Sequence, residues 1–176
     1  MGEYLVNLLS KDNIDIFVTS RAEKISQGNI HYLRGDAHDL TFLNDILNEF
    51  WDVIVDFMNY NTLEFENRID LLLKSTSQYV FLSSSRVYAG LNKIITEESP
   101  RLLDICTDKD FLSTDEYSLS KARQENILKI SNFNNWTIIR PYITYSKNRL
   151  QLGVFEKEDW LFRALNGKTI ILSNEI

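Results

Sequence analysis

Short runs of β-branched and aromatic residues alternate along this chain with longer stretches whose apolar residues recur at helical spacing. The pattern predicts strands at residues 14–19, 30–33, 51–57, 79–82, 136–140 and 169–172, and helices at 1–10, 40–50, 63–74, 117–128 and 156–165. The run at 51–57 is nearly continuous in apolar character, as is typical of a strand covered on both faces. The stretch from residue 90 to about 114 is polar and is expected to be irregular. Alternating strands and helices imply βαβ units, so we expect an α/β fold with a doubly wound parallel sheet.

The composition is that of an ordinary globular domain and argues against several classes of protein. The chain has 176 residues, of which 44% are hydrophobic and 25% charged, enough for one domain with a sizeable core. Its net charge of −6, with no long basic run, makes nucleic acid and anionic membrane unlikely partners. With Cys106 as its one cysteine and His31 and His38 as its histidines, the sequence offers neither an internal disulfide nor a zinc cluster, so no metal is expected.

No stretch of the sequence resembles a signal peptide, and none approaches the ~18 apolar residues that a membrane span needs. We therefore expect a cytoplasmic protein.

The segment at residues 115–128 contains a pair of side chains with clear chemical potential. Its apolar residues recur near helical spacing, so Tyr117 and Lys121 lie one turn apart on the same side of a helix. An ammonium near a phenol favours the phenolate, which lowers a pKa that is otherwise about 10 and makes the tyrosine a usable acid or base. Taken alone, the spacing is more often that of an amphipathic helix with a tyrosine and a lysine on its solvent side.

Polar residues follow several predicted strands, and ligands of parallel α/β sheets bind at these carboxyl ends. The residues in question are the serines Ser83-Ser84-Ser85, the pair Gly35-Asp36, Arg21 and the pair Pro141-Tyr142. Each of them also has a simpler interpretation, as a turn, a solvated charge or the end of a strand. Together, however, they lie where a dinucleotide would bind.

Three motifs, in a fixed order, are shared with a known family. They are Val80-Phe81-Leu82-Ser83-Ser84-Ser85-Arg86-Val87-Tyr88, Tyr117-Ser118-Leu119-Ser120-Lys121 and Ile139-Arg140-Pro141-Tyr142. The sequence resembles the NAD(P)-dependent epimerase/dehydratase family, the extended short-chain dehydrogenases, over essentially its whole length. Residues 164–170 are similar to the segment by which the family enters its substrate region. The resemblance implies a Rossmann-like doubly wound parallel sheet, with a dinucleotide-binding domain at residues 1–150 and the start of a substrate-binding region at 151–176.

The resemblance also implies catalytic roles for three residues. Ser84 corresponds to the family's catalytic serine or threonine, because it lies three residues before the Val87-Tyr88 pair. Tyr117 resembles the catalytic acid or base, and Lys121 resembles its pKa partner and the ligand of the nicotinamide ribose. Ser84 would hydrogen-bond the reacting oxygen, whereas the hydride belongs to the cofactor.

A larger set of residues matches the family's cofactor contacts: Gly2, Ser20, Arg21, Asp36, Ala37, Phe57, Met58, Asn59, Tyr117, Lys121, Pro141 and Tyr142. Asp36 and Ala37 match the adenine contacts. Residues 57–59 match the lining of the cofactor after the next strand, where small side chains are more usual in the family. An acidic residue after the second strand binds the ribose 2′-hydroxyl of NAD, whereas arginine suits a 2′-phosphate. Because Ser20 stands at that position with Arg21 beside it, we expect NADP rather than NAD.

The start of the chain departs from the family pattern. The family begins with a strand and a Gly-x-x-Gly-x-x-Gly turn, whose backbone amides hold the pyrophosphate at a helix N-terminus. Only Gly2 and the helix behind it match, so the first strand and most of the glycine-rich loop are lacking, and the sequence looks like the interior of a longer protein. In the sheet order 3-2-1-4-5-6 the lacking strand is central. We therefore expect a gap, or an improvised filler, between the strands containing Phe17 and Val55, and weak binding of a dinucleotide by this chain alone.

The resemblance implies an enzyme that acts on a nucleotide-activated sugar as an epimerase, dehydratase or reductase, with NADP or NAD as cofactor. It also allows a homodimer that pairs through the helices at 63–74 and 117–128. The alternative is a non-catalytic Rossmann-like protein that keeps the fold for binding or assembly, or an inactive fragment. The complete set of Ser84, Tyr117 and Lys121 favours the enzyme, whereas the lacking phosphate loop favours the alternative for this chain alone.

Overall fold

The computed structural model describes residues 1–90, 94–146, 150–152 and 155–172, and its elements follow the predicted alternation. The strands in these ranges are β1 (Ile16–Ser20), β2 (Ile30–Arg34), β3 (Trp51–Asp56), β4 (Thr76–Leu82) and β5 (Trp136–Ile139). The helices are α1 (Gly2–Leu9), α2 (Leu40–Ile46), α3 (Thr62–Lys74), α4 (Leu102–Ile105), α5 (Lys109–Ser113), α6 (Tyr117–Ile130) and α7 (Lys157–Leu165), with a 3₁₀ helix at Ser85–Val87.

The chain divides into two compact units, Met1–Pro141 and Tyr142–Ile176. Residues 153–154 and 173–176, which belong to the expected substrate region, lie outside the described residues.

All strand pairs in the first unit are parallel, but they form two sheets rather than one. β1 pairs with β2 from Ile16↔Ile30 to Ser20↔Arg34, and β4 pairs with β3 on one edge and β5 on the other. Among the described strands, none is hydrogen-bonded to the free edges of β1 and β3. The order is therefore that of a Rossmann-like sheet without its central strand, which confirms the predicted α/β fold and the predicted gap.

Two aromatic side chains meet between the sheets. The ring centroids of Phe17 on β1 and Trp51 on β3 lie 4.9 Å apart in an edge-on arrangement. Paired strands are about 4.8 Å apart, so one lacking strand leaves about 10 Å between its neighbours, a distance that two aromatic side chains can span. The contact between Phe17 and Trp51 packs β1 against β3. It does not join the two sheets, because side chains do not replace the lost backbone hydrogen bonds.

The core lies between the three-stranded sheet and helices α3 and α6. Phe65 of α3 and Phe81 of β4 are both buried, with ring centroids 5.0 Å apart, and Leu128 of α6 joins the same cluster. Helix α3 begins with a capping box, in which the Asn61 side chain accepts from the Glu64 backbone and the Glu64 side chain accepts from the Asn61 backbone. Such caps satisfy backbone donors that the first turn leaves unpaired, so they fix where the helix starts.

Three sequence predictions about secondary structure are wrong in part. The helix expected at 40–50 ends at Ile46, and the stretch expected to be irregular contains α4 and α5, while its residues 91–93 lie outside the described ones. The strand expected at 169–172 is absent. Gly167, at a φ of 61°, turns the chain back after α7, and the Arg163 side chain donates to the Thr169 carbonyl at 2.7 Å. The carbonyl is thus satisfied by the preceding helix instead of by a neighbouring strand.

β3 is also less covered than its apolar sequence predicts. Val53 is 54% exposed, although a strand inside a doubly wound sheet should have both faces covered. Phe17, on β1 at the other side of the gap, is 45% exposed. The exposure of both side chains follows from the open edge beside them.

We expect the backbone amides of β1 to exchange hydrogen in an alternating pattern. The Ile16 amide donates to Asn29 at 2.7 Å, so Val18 also faces β2, whereas Phe17 and Thr19 face the gap. Exchange measured residue by residue by NMR on the 176-residue chain should be fast at Phe17 and Thr19 and slow at Val18. Equal protection at these three amides would show that another segment pairs with the free edge.

Candidate active site

A cleft of about 200 Å³ lies where the carboxyl ends of β1, β2 and β3 meet. It is lined by Thr19, Ser20, Arg21, Gly35, Asp36, Ala37, His38 and Met58. Five of the predicted cofactor residues are thus brought together, although they come from three separate segments of the chain. This convergence follows from the parallel arrangement, because parallel strands present their carboxyl ends at one edge.

The turn after β2 forms one wall of the cleft and is tightly packed. A Cβ added to Gly35 would lie 2.3 Å from the Phe42 ring, so only glycine fits there. The Asp36 carboxylate accepts the His38 amide at 3.0 Å. Buried Arg68 of α3 donates to the carbonyls of Ala37 and His38 at 3.4 and 3.3 Å. The turn is therefore held from inside the protein, which leaves its outer side to face the cleft.

The turn after β1 forms the opposite wall and is more open. The Ser20 hydroxyl donates to the Ala22 carbonyl at 2.9 Å. Arg21 is exposed, and its guanidinium has no hydrogen bond or ion pair with any residue in the described ranges. A cation without a protein partner at the rim of a cleft is suited to an anionic ligand.

The other predicted cofactor residues do not line this cleft. Gly2 begins α1 beside Phe57, and a Cβ there would lie 3.6 Å from the Phe57 ring, so the position does not require glycine. Asn59 follows β3 and is exposed. The Pro141 carbonyl accepts the Ser85 amide at 3.0 Å, while Tyr142 belongs to the second unit and is exposed.

Ser84 and Tyr117 lie on two elements that pack together, the turn at residues 83–88 (the serine turn) and the start of α6. Ser84 is buried, and its hydroxyl oxygen accepts the Arg86 amide at 3.2 Å. The Arg86 guanidinium lies 5.4 Å from the centre of the Tyr117 ring, and one of its nitrogens lies 3.3 Å from the Glu116 carboxylate. Arg86 therefore connects the serine turn to the first residues of α6.

Lys121 lies one turn beyond Tyr117 and is only 3% exposed, so the alternative of a lysine on the solvent side of the helix is wrong. Its ammonium lies 4.8 Å from the centre of the Phe81 ring and donates no hydrogen bond to any residue that the structure describes. Burial lowers the pKa of Lys121, and the negative charge of Asp56 opposes this change. A desolvated ammonium without a hydrogen-bond acceptor is ready to bind a ligand oxygen.

Asp56, at the end of β3, is the buried carboxyl group near this lysine. It accepts the Tyr79 hydroxyl at 2.7 Å and the Met58 amide at 2.8 Å. Burial raises the pKa of Asp56, while the bond from Tyr79 works in the opposite direction. Asp56 is thus a weaker counter-charge for Lys121 than an exposed carboxylate would be.

A further carboxylate, that of Glu125, lies one turn beyond Lys121 and is fully buried. It accepts the Ser83 hydroxyl at 2.6 Å, two nitrogens of Arg140 at 2.8 and 2.7 Å, and one of Arg101 at 3.1 Å. Burial raises the pKa of Glu125, but the bonds from Arg140 and Ser83 outweigh it and the pKa is lowered. The carboxylate is therefore ionised, and we call it and its three partners the Glu125 network.

The sequence predictions did not include Glu125 or Arg101. A signal for Glu125 was present, since it is spaced four and eight residues from Lys121 and Tyr117 and so shares their side of the helix. Arg140 appeared only as part of the Arg-Pro motif. Its partner could not be inferred, because the two residues meet only through the tertiary fold.

The described ranges give no sign of a membrane span or a metal centre. None of their helices combines the length and the apolar character needed to cross a membrane. No three histidine, cysteine, aspartate or glutamate side chains within them are arranged to hold a metal ion.

Comparisons with known proteins give a sequence relative and solved structures of similar fold. No family model matches the sequence. Chloroplast stem-loop binding protein of 41 kDa b from Arabidopsis thaliana is 29% identical over 147 residues, which are 82% of this chain and 35% of that protein. Structures of MoeE5 with NAD and either UDP-glucuronic acid or UDP-glucose match with TM-scores of 0.54 and 0.53, at 17% identity. Each covers 78% of this chain and 48% of MoeE5.

The likeness to MoeE5 shows a Rossmann-like α/β fold. The chain spans less than half the length of the proteins it matches.

We expect replacement of Glu125 by Gln to lower the free energy of unfolding at pH 7 by about 3–5 kcal/mol, because partly buried Arg140 loses its counter-charge and Arg101 keeps only that of Asp104. The pKa of Glu125 is below its ordinary value of 4.5, so its ionised form stabilises the fold fully above pH 4.5 and the effect is lost as the pH falls further. The difference between wild type and Glu125→Gln should therefore narrow below pH 4.5.

Urea unfolding between pH 7 and pH 3 measures this difference. Glu66→Gln is the matched control, because Glu66 is exposed on α3 and its replacement should change stability little at any pH. A difference for Glu125→Gln that stays constant with pH would contradict the ionised network.

Proposed function

We propose that this chain is part of an NAD(P)-dependent enzyme of the epimerase/dehydratase family that acts on a nucleotide-activated sugar as an epimerase, dehydratase or reductase. One observation carries the proposal. On α6, Tyr117 is followed one turn later by Lys121, a buried residue whose ammonium donates no hydrogen bond to any described residue. This pair lies beside the serine turn. A cleft lined by residues that match the family's cofactor contacts lies at the carboxyl ends of β1, β2 and β3.

The proposed roles follow from the chemistry of each group. Tyr117 transfers a proton to or from the reacting oxygen, and the Ser84 hydroxyl hydrogen-bonds the same oxygen. Lys121 places a positive charge one turn from Tyr117 and donates to the ribose of the cofactor. A bound nicotinamide supplies or accepts the hydride. The Lys121 ammonium can donate to a ribose hydroxyl, because it donates no hydrogen bond to any described residue.

The cleft at residues 19–21, 35–38 and 58 is proposed to hold the adenosine end of the cofactor. MoeE5 was solved with NAD, which supports a nicotinamide cofactor here. We propose NADP as the preferred form for this chain, because Ser20 replaces an acidic residue and the exposed Arg21 has no partner in the described ranges.

The activity test is Tyr117→Phe in the full-length protein that contains this chain. Loss of the phenol hydroxyl should lower kcat by about 10²–10⁴-fold with the fold intact, because the proton donor or acceptor is removed. Turnover of UDP-glucose and UDP-glucuronic acid is followed by chromatography of the nucleotide sugars, because an epimerase or dehydratase regenerates its cofactor in each cycle. NADH or NADPH absorbance is followed in parallel, since only a net oxidation or reduction changes it. Tyr4→Phe, on the exposed part of α1, should leave kcat unchanged. Full activity of Tyr117→Phe would refute the assigned role.

The cofactor test is titration of the full-length protein with NADP and NAD by calorimetry. A charge-assisted hydrogen bond contributes about 1.5–3 kcal/mol, so Arg21→Ala should weaken NADP binding at least about tenfold and NAD binding little. Arg34→Ala is the control, because Arg34 is exposed nearby but does not line the cleft. Tighter binding of NAD than of NADP by the wild type would overturn the preference.

The 176-residue chain alone serves as a comparison in the same titration. We propose that it binds either dinucleotide weakly, because the gap between β1 and β3 leaves the pyrophosphate without most of its backbone donors.

A homodimer that pairs through α3 and α6 is also part of the proposal, and Leu63 and Ile130 are exposed on these helices.

Nucleic-acid binding without catalysis is the second candidate. It is favoured by the Arabidopsis relative, which is named as a stem-loop binding protein. The net charge of −6 weighs against it, because phosphate contacts depend on lysine and arginine. A gel-shift experiment with an RNA stem-loop distinguishes the two: salt-sensitive binding that Tyr117→Phe leaves unchanged, without turnover of nucleotide sugars, would favour this candidate.

A further inference from the structure

We infer that Glu125 is a positioning residue, which holds the serine turn so that Ser84 faces the reacting groups of α6. The inference rests on the proposed function, since it concerns the same site. Glu125 does not touch the cofactor or substrate in this scheme. It acts on Ser84 through Ser83, the residue directly before it.

The first step concerns three side chains that share one side of α6. Tyr117, Lys121 and Glu125 follow one another at intervals of four residues, so their side chains leave the helix on nearly the same side. The first two carry the proposed chemistry, and the third accepts the Ser83 hydroxyl at 2.6 Å. The helix that carries the acid or base therefore also holds the turn that carries the serine.

The second step is the backbone around Ser84. The Ser83 amide donates to the Ile139 carbonyl at 2.8 Å, and the Ser85 amide donates to the Pro141 carbonyl at 3.0 Å. Ser84 lies between these two bonds in an extended conformation, with φ −156° and ψ 147°. Its hydroxyl oxygen accepts the Arg86 amide, which leaves the hydroxyl hydrogen for a ligand oxygen.

The third step is the far side of the network. Arg140 follows β5, and besides binding Glu125 it donates to the Tyr88 hydroxyl at 2.6 Å, at the other end of the serine turn. The serine turn is thus held at Ser83 by Glu125 and at Tyr88 by a residue that Glu125 itself holds. One carboxylate therefore joins the serine, Tyr-x-x-x-Lys and Arg-Pro motifs.

The fourth step is charge balance. Arg101 donates to Glu125 with one nitrogen and to Asp104 with two others, at 2.9 and 2.8 Å. Two guanidinium groups thus face two carboxylates, so the charges within this cluster are matched. Because each charge is matched, the Glu125 carboxylate is held in one position. The direction of its hydrogen bond from Ser83 is therefore fixed.

The experiment removes the bond between Ser83 and Glu125 while leaving the ion pairs in place. Ser83→Ala does this, and Ser83→Thr restores a hydroxyl. Ser75→Ala is the matched control, because Ser75 is also buried and its hydroxyl also donates one bond, to the Leu47 carbonyl at 3.0 Å. Both alanine variants should lower Tm by a similar few degrees.

The first readout uses the 176-residue chain and needs no substrate. Amide exchange at Ser85 and Arg86 should become about tenfold faster in Ser83→Ala, remain unchanged in Ser75→Ala and be restored in Ser83→Thr. Unchanged exchange at these two amides in Ser83→Ala would overturn the inference, whether or not the protein proves to be an enzyme.

The second readout uses the full-length protein with NADP or NAD and UDP-glucose or UDP-glucuronic acid. Ser83→Ala should lower kcat about tenfold with KM unchanged, because Ser84 is misplaced only with respect to the reacting oxygen. Ser75→Ala should change neither value. An equal loss of kcat in both variants would show that Glu125 has only a structural role and would overturn the inference. A wild type without turnover would instead contradict the proposed function and leave the exchange result to decide the inference.

Discussion

The buried charge of Glu125 is the constraint on which much of the first unit depends. An ionised carboxylate without solvent contact is unfavourable unless it is paired and hydrogen-bonded. Here the carboxylate is paired with Arg140, which follows β5, and with Arg101, at the start of α4. Because all of these groups must reach one point, the end of the sheet, the serine turn and α6 can pack in only one relative arrangement. The requirement gives a physical reason why the serine, Tyr-x-x-x-Lys and Arg-Pro motifs occur together in this sequence.

A second constraint comes from the backbone rather than from charge. With β1 and β3 in separate sheets, no hydrogen-bonded ladder among the described strands connects the turns after β1 and β2 to the three-stranded sheet. The connection is made by side chains. Arg68 stacks on the Tyr60 ring at 4.2 Å and donates to the turn after β2, and the ring of His38 packs edge-on against Tyr60 at 5.3 Å. The proposed cofactor end is therefore more weakly connected to the core than the end that carries Lys121.

The sequence was sufficient to predict the alternation of elements, the gap and the convergence of Ser20, Arg21, Asp36 and Met58 on one cleft. These features depend on local periodicity and on the rule that parallel strands share their carboxyl ends. The burial of Lys121 and the role of Glu125 could not be predicted, because they depend on which segments cover α6. The strand expected at residues 169–172 failed for a related reason, since a strand exists only when a neighbour can accept its hydrogen bonds.

The Glu125 network also affects how long the folded state lasts. Ser83, Arg101 and Arg140 lie 42, 24 and 15 residues from Glu125 along the chain, so three loops must close before the carboxylate is matched. A half-formed network would hold a buried, unpaired charge, and the network therefore assembles after the surrounding elements have packed. Interactions formed after the folding transition state slow unfolding without speeding folding. In this chain, we therefore expect the residues proposed to position the active site also to lengthen the lifetime of the native state.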